Sequence, residues 1–226
     1  MNPQVKPQQF VLDLLPAPQP TLENFVAGPN GAALAALQEA RAGRGPQFLH
    51  LWGEPGSGRT HLLRAMTASA GNALSGALPV PQFSPQEGLF AVDDVQELDA
   101  QGQAALFQLQ NEVRQHPGSI LLTAADQPPA QLALREDVRT RLAWGLVFAL
   151  RRITQDEQAA ALDAYARARG ARVDEELIPF MLTRLPRDMS TLVAVLDALD
   201  AFALARHRAL TVRLLREWLQ EQAQGS

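Results

Sequence analysis

The glycine-rich run at residues 53–61 constrains the fold of this chain more than any other feature of its sequence. It reads GEPGSGRTH, follows an apolar strand predicted at 47–52, and precedes a helix predicted at 60–70. Glycines let successive N–H groups turn inward, and the helix N-terminus adds positive charge at the same spot. The run therefore predicts a phosphate-binding loop with Arg59 at the position of the usual lysine. The alternative is a strand-to-helix turn that needs glycines for its backbone alone.

Two carboxylates follow the next buried strand, predicted at 88–92. They are Asp93 and Asp94. In phosphate-loop NTPases an acidic residue at a strand end holds Mg²⁺, and a second carboxylate can orient the attacking water. Asp93 is thus predicted as a metal ligand together with the hydroxyl of Thr60, and Asp94 as a catalytic residue. The alternative is that the two carboxylates cap the segment after them.

Strands and helices alternate up to about residue 150, and only helices are predicted beyond it. Further strands are predicted at 119–124 and 146–150, and further helices at 32–42, 100–115, 138–142, 154–169, 174–184, 188–207 and 211–222. This order predicts a parallel α/β domain over 21–152 and a small all-helical domain over 153–226. The stretch 71–88 is short and rich in Gly, Pro and Ser, so the sheet is expected to lack or shorten one strand.

Composition excludes several classes of protein. The 226 residues include no Cys, which excludes a disulfide framework, a thiolate metal site and a Cys nucleophile. A net charge of -4 argues against a general nucleic-acid-coating protein. No apolar run approaches the roughly 18–20 residues of a membrane span, and the N-terminus lacks the pattern of a signal peptide. A cytoplasmic protein is expected.

The sequence resembles the AAA+ family of the bacterial replication initiator DnaA, and within it the small Hda-like members. The matching segments are the opening segment 21–30, the loop 53–61 (Walker A), Asp93–Asp94 (Walker B), and the lid segment 187–192. The resemblance implies an AAA+ P-loop domain with a parallel sheet and a C-terminal helical lid. It implies nucleotide contacts from Phe25, Val26, Gly53, Gly56, Ser57, Gly58, Arg59, Thr60, His61, Asp126 (sensor 1) and Arg187. Ser190 stands where the lid arginine of the family is usual, and Arg187 lies about one helical turn earlier.

Arg141 falls on the arginine-finger position of the family, in a segment that ends at Trp144 and Gly145. The resemblance implies that it acts in trans, on the ATP of a partner. An arginine in that role stabilises charge on the transferred phosphoryl group and is worth roughly 10³–10⁵ in rate. The alternative is a surface ion pair.

Residues 1–20 carry five prolines and predict a flexible arm. Within it, Gln9, Phe10, Leu12 and Leu14 resemble the sliding-clamp-binding motif of Hda-like proteins. An amide can anchor such a peptide by hydrogen bonds while its apolar side chains fill pockets, with an affinity on the order of micromolar. The alternative is an arm that packs back on its own domain.

The resemblance implies a clamp-bound regulator that promotes hydrolysis of ATP on DnaA and so inactivates the initiator. Its own site would hold ADP or ATP, with ADP favoured, and Mg²⁺. Its partners would be the sliding clamp and DnaA, with a homodimer as one possible assembly. The chain stops after the lid helices, so DNA contact is expected only indirectly, through a clamp at the nucleoid.

Two other functions remain open at this point. One is an autonomous AAA+ ATPase of the helicase-loader type, whose basal hydrolysis would require Asp93 and Asp94. The other is a nucleotide-free clamp adaptor. Arg59 in place of the usual lysine and Ser190 in place of the usual lid arginine favour it.

Overall fold

In the computed structural model, strands and helices alternate up to Ala149, and only helices follow in the described residues. The structure describes residues 19–70, 80–185 and 189–224. These residues separate into two compact units that meet in sequence between Arg152 and Ile153. Gln9, Phe10, Leu12, Leu14 and Arg187 lie outside the described residues.

The first unit is built on four parallel strands in the order β2-β3-β1-β4. Its elements are α1 (Gly31–Arg41), β1 (Phe48–Trp52), α2 (Arg59–Ala70), β2 (Leu89–Val92), α3 (Ala100–Gln115), β3 (Ile120–Ala125), α4 (Glu136–Arg141) and β4 (Leu146–Ala149). The predicted parallel α/β architecture is confirmed. Residues 80–88, the described part of the stretch between α2 and β2, form no strand.

Helices cover both faces of this sheet, and the pleat of the strands divides the core between them. Leu122 and Ala124 of β3 pack in one cluster with residues of α1 and α2. Leu121 and Ala125 of the same strand pack in a second cluster with residues of α3 and α4. Successive side chains of a strand point to opposite faces, so a strand buried on both faces has a continuous apolar sequence. Apolar contacts on both faces therefore hold the central strands in place, and the loops described below follow their carboxyl ends.

The second unit contains the four helices α5 (Gln155–Ala168), α6 (Leu177–Arg184), α7 (Met189–Ala205) and α8 (Val212–Gln224). Thr154 and Glu157 form a capping box that starts α5. The core of this unit is aliphatic with one tryptophan, and includes Leu162, Met181, Leu192, Leu196, Leu199, Leu215 and Trp218. The predicted C-terminal helical domain is confirmed.

Candidate functional site

The predicted polar residues meet at the carboxyl ends of three parallel strands. The glycine-rich loop follows β1, Asp93 follows β2, and Asp126 follows β3. The N–H of Gly53 donates to the carbonyl of Ala125 at 3.2 Å, which ties the start of the loop to the end of β3. Ligands of open α/β sheets bind at this edge.

Three glycines of the loop are required by its geometry. Gly56 and Gly58 have φ of +84° and +96°, where an L side chain is strained. A Cβ on Gly53 would stand 2.3 Å from the carbonyl oxygen of Leu150, so no larger residue fits there. These features are compatible with both sequence interpretations, a phosphate loop and a simple turn.

The two predicted magnesium ligands are in direct contact. The hydroxyl of Thr60 donates to Oδ2 of Asp93 at 2.6 Å, and Oδ1 of Asp93 accepts from the N–H of Asp94 at 3.0 Å. Asp93 is only 3% exposed. Mg²⁺ is usually held by one or two carboxylates together with substrate phosphates and waters, so this hydroxyl–carboxylate pair beside a phosphate loop suits it.

Arg59 occupies the lysine position of the loop but is directed to the second carboxylate. Its Nη2 lies 3.5 Å from Oδ1 of Asp94, and the residue is 9% exposed. Asp94 has a left-handed backbone, with φ of +48°, and also accepts from Nε2 of Gln96 at 3.0 Å. Oε1 of Gln96 in turn accepts from the N–H of Asp126 at 3.3 Å. Gln96 thus links the ends of β2 and β3, a role that its position in the sequence does not signal.

Several buried polar atoms at this edge have no hydrogen-bond partner among the described residues. They are Nη1 of Arg59, Oγ of Ser57 and Oδ1 of Asp126. Buried polar groups are nearly always paired, and each exception calls for an explanation. Two of the three atoms are donors within the loop itself, where they suit an anionic ligand.

Beneath the loop, β1 carries a buried histidine that the sequence interpretation did not use. Nδ1 of His50 lies 2.8 Å from Oγ1 of Thr123 on the neighbouring strand. Burial, and secondarily the charge of Arg59, lowers the pKa of His50 to about 4. The imidazole is therefore neutral at pH 7. A polar residue inside the apolar run 47–52 was the available signal.

The opening segment packs against the loop through contacts that involve Phe25 and His61. The ring of Phe25 comes within 2.6 Å of the position that a Cβ would take on Gly58, so a side chain there would clash with it. The centroid of the same ring lies 5.4 Å from that of the His61 ring. Nε2 of His61 lies 2.9 Å from the carbonyl oxygen of Thr21. Val26 is half-buried in the same segment.

A second contact from this segment reaches the chain just after β4. The side chain of Asn30 donates to the carbonyl of Arg151 and accepts from its N–H, both at 2.9 Å. The guanidinium of Arg152 lies against the loop, with Nε 3.3 Å from the position that a Cβ would take on Gly56. Sequence reasoning missed both Asn30 and Arg152, because each contacts residues far away in the sequence; Asn30 and Arg151 are 121 positions apart.

Arg141 is held away from the chain's own loop. Its Nη1 donates to Oδ1 of Asn111 on α3 at 2.5 Å, and its guanidinium lies 3.7 Å from the ring centroid of Phe107 and 4.7 Å from that of Trp144. Desolvation lowers the pKa of Arg141. The turn after α4 and the start of β4 expose large apolar side chains beside it: Trp144, Leu146 and Val147.

Comparison with known proteins identifies relatives for both units. The family model described as Hda, lid domain, matches residues 155–219. An uncharacterized protein of Haemophilus influenzae is 33% identical over 214 residues, which cover 88% of this chain and 93% of that protein.

Two solved DnaA structures share the fold. Domain III of DnaA from Thermotoga maritima has a TM-score of 0.58 at 21% identity and covers 92% of this chain and 98% of that one. AMPPCP-bound DnaA from Aquifex aeolicus has a TM-score of 0.61 at 20% identity. That match covers 81% of this chain, which spans 65% of the Aquifex chain.

Across the described ranges, no helix is both long enough and apolar enough to cross a membrane.

Proposed function

Because this chain is an Hda-like member of the AAA+ family of the replication initiator DnaA, we propose that it regulates initiation by promoting hydrolysis of DnaA-bound ATP. In this proposal the arm binds the sliding clamp through Gln9, Phe10, Leu12 and Leu14. The clamp-bound protein docks on ATP-loaded DnaA and directs Arg141 to that ATP. Hydrolysis leaves the initiator in its inactive, ADP-bound form.

The observation that carries the proposal is the contact between Arg59 and Asp94. Asp94, the predicted catalytic carboxylate of this chain, is held by a guanidinium and by the amide of Gln96. A carboxylate engaged in this way is poorly placed to orient an attacking water. The loop and the magnesium ligands would still bind a nucleotide, whereas Asp94 is engaged by Arg59 and Gln96 and is not free to promote hydrolysis. This supports ATP hydrolysis in the site of a partner.

The chain's own site suits a nucleotide as a structural ligand, with ADP favoured over ATP. The loop N–H groups and the unpartnered donors of Ser57 and Arg59 would hold the phosphates. Phe25 and Val26 would lie near the base, and Arg187 of the lid would contact a phosphate. Mg²⁺ would bind at Thr60 and Asp93, where it would neutralise phosphate charge. Asp126 presents an unpartnered carboxylate oxygen at the same edge.

Arg141 has the chemistry of an arginine that serves a partner. Stacking on Phe107 and Trp144 uses the faces of the guanidinium, and Asn111 takes one of its five N–H donors. The exposed Trp144 and Leu146 beside it offer apolar contact area to a docked protein. The proposed partners are the clamp and DnaA, with DNA reached only through the clamp. In this proposal the protein would act in the cytoplasm, at the nucleoid through the clamp, and a homodimer would be one assembly open to it.

The proposal is tested by following hydrolysis of labelled ATP on DnaA in the presence of DNA-loaded clamp. The wild-type chain is expected to accelerate hydrolysis, and Arg141→Ala to lose that acceleration by a factor of roughly 10³ or more. Arg139→Ala on the same helix is the matched control and is expected to retain it. An Arg141→Ala variant as active as wild type would contradict the role given to Arg141. No acceleration by the wild type would contradict the proposed function as a whole.

A nucleotide-free clamp adaptor is the second candidate. The engagement of Arg59 with Asp94 favours it, because the lysine position then contributes less charge to a phosphate. The same contact argues against an autonomous ATPase, whose turnover would require Asp94 to be available. Titration of the wild-type chain with ADP separates the adaptor from the regulator, since only the regulator binds ADP.

A further inference from the structure

Arg152 is an exposed cation held beside the phosphate loop. Its Nε, Nη2 and Cζ lie 3.3, 3.4 and 3.5 Å from the position that a Cβ would take on Gly56. The nearly equal distances mean that the plane of the guanidinium faces the loop. Within the described ranges, no carboxylate forms an ion pair with Arg152. Its charge is therefore available to a ligand.

Hydrogen bonds to β1 and to Asn30 fix the two residues of the main chain that precede Arg152. The N–H of Leu150 donates to the carbonyl of Trp52, the last residue of β1, at 2.7 Å. The side chain of Asn30, which is only 4% exposed, donates to the carbonyl of the next residue, Arg151, and accepts from its N–H. A buried amide that pairs both backbone groups of one residue restricts where the next side chain emerges. Asn30 thus brings Arg152 to the loop.

We propose that Arg152 binds the terminal phosphate of a nucleoside diphosphate in the loop, with Asn30 as its positioning residue. The inference rests on the proposed function, because it requires the chain to bind a nucleotide. Arg59 is buried and its Nη2 is directed to Asp94, which leaves only its Nη1 for a phosphate. A planar guanidinium can contact phosphate oxygens with two parallel N–H groups. Arg152, beside Gly56 of the loop, would supply that fork.

The test is calorimetric titration of the full chain with ADP and with AMP, both in the presence of Mg²⁺. Arg152→Ala is expected to weaken ADP binding about tenfold or more, as for loss of a hydrogen bond between charged groups. AMP binding is expected to change much less, so the ratio of the two affinities falls. Arg151→Ala removes the same charge one residue away without touching the loop or its own backbone contacts, and is expected to bind ADP like wild type. Asn30→Ala is expected to lower the same ratio, which a loss of general stability would not do.

Each outcome decides the inference. Equal ADP affinity in Arg152→Ala and wild type overturns it and leaves nucleotide binding intact. Tighter ADP binding in Arg152→Ala also overturns it, since the guanidinium would then obstruct the loop. Failure of the wild type to bind ADP removes the nucleotide part of the proposed function together with the inference. Thermal unfolding without ligand verifies that the exposed substitution leaves the fold intact.

Discussion

At the scale of single residues, the site combines groups that the sequence displays with groups that only folding brings together. Thr60 and Asp93 follow from a loop motif and a strand end, and the structure places them 2.6 Å apart. Gln96 and Asn30 have no such signature. Their roles arise from contacts across the sheet edge, and sequence spacing contains no information about which strand ends become neighbours.

His50 carries a prediction that belongs to this scale. Its pKa of about 4 in the folded chain lies below the ordinary value of 6.5. Below pH 6.5 the unfolded chain binds a proton that the folded chain does not, so stability is present above that pH and lost as the pH falls. Between pH 7 and pH 5 the free energy of unfolding is expected to drop by about 2 kcal/mol on account of this group.

Urea unfolding of wild type and His50→Leu at pH 5, 6 and 7 checks this expectation. The variant lacks the titrating group but keeps all others, so the difference in pH dependence isolates the histidine. A wild-type chain whose stability falls no faster than that of His50→Leu would show that the imidazole is not held neutral.

At the scale of helices and strands, the sequence predicts most element bounds to within one or two residues. The predicted bounds of α3 coincide with those observed, since Asp99 caps its start and His116-Pro117-Gly118 follow its end. α6 is an exception, with a predicted start at 174 and an observed start at Leu177. The carboxylate of Asp174 accepts from the N–H of Glu176, and its carbonyl accepts from that of Leu177. Asp174 therefore forms a turn before the helix. An aspartate is typical both of such a turn and of a helix N-cap, so the sequence alone does not distinguish them.

The end of α7 gives a stability prediction. His207 has φ of +53°, and the N–H of Arg208 donates to the carbonyl of Ala203 at 3.0 Å. This is the left-handed helix end at which glycine is favoured, because it has no Cβ. His207→Gly is expected to raise the stability of the helical unit by roughly 0.5–1 kcal/mol, whereas His207→Ala keeps the strain. Urea unfolding, monitored by the helical circular dichroism signal, measures the stability of both variants. Equal stabilities of the two variants would contradict this account of the turn.

At the scale of the whole molecule, the proposed function assigns separate tasks to separate parts of the chain. The α/β unit carries the loop and Arg141, and the helical unit belongs to the Hda lid family. The arm, with Gln9 and Phe10, would recruit the clamp. A short peptide loses conformational entropy when it is ordered on a partner, so a modest affinity is expected, and the clamp would act mainly by concentrating the protein near DnaA. Recruitment and catalysis should then be separable by substitution.

Titration of the sliding clamp with the intact protein is the measurement that tests this separation. Saturable binding with a Kd on the order of micromolar is expected, and Gln9→Ala/Phe10→Ala should abolish it. Arg141→Ala is the matched control, because it should bind the clamp like wild type and yet fail to promote hydrolysis on DnaA. Loss of clamp binding in Arg141→Ala would mean that the α/β unit itself contacts the clamp. Unchanged binding in the arm variant would assign recruitment to another surface. The regulator would then be distinguished from an autonomous ATPase only by the contact between Arg59 and Asp94.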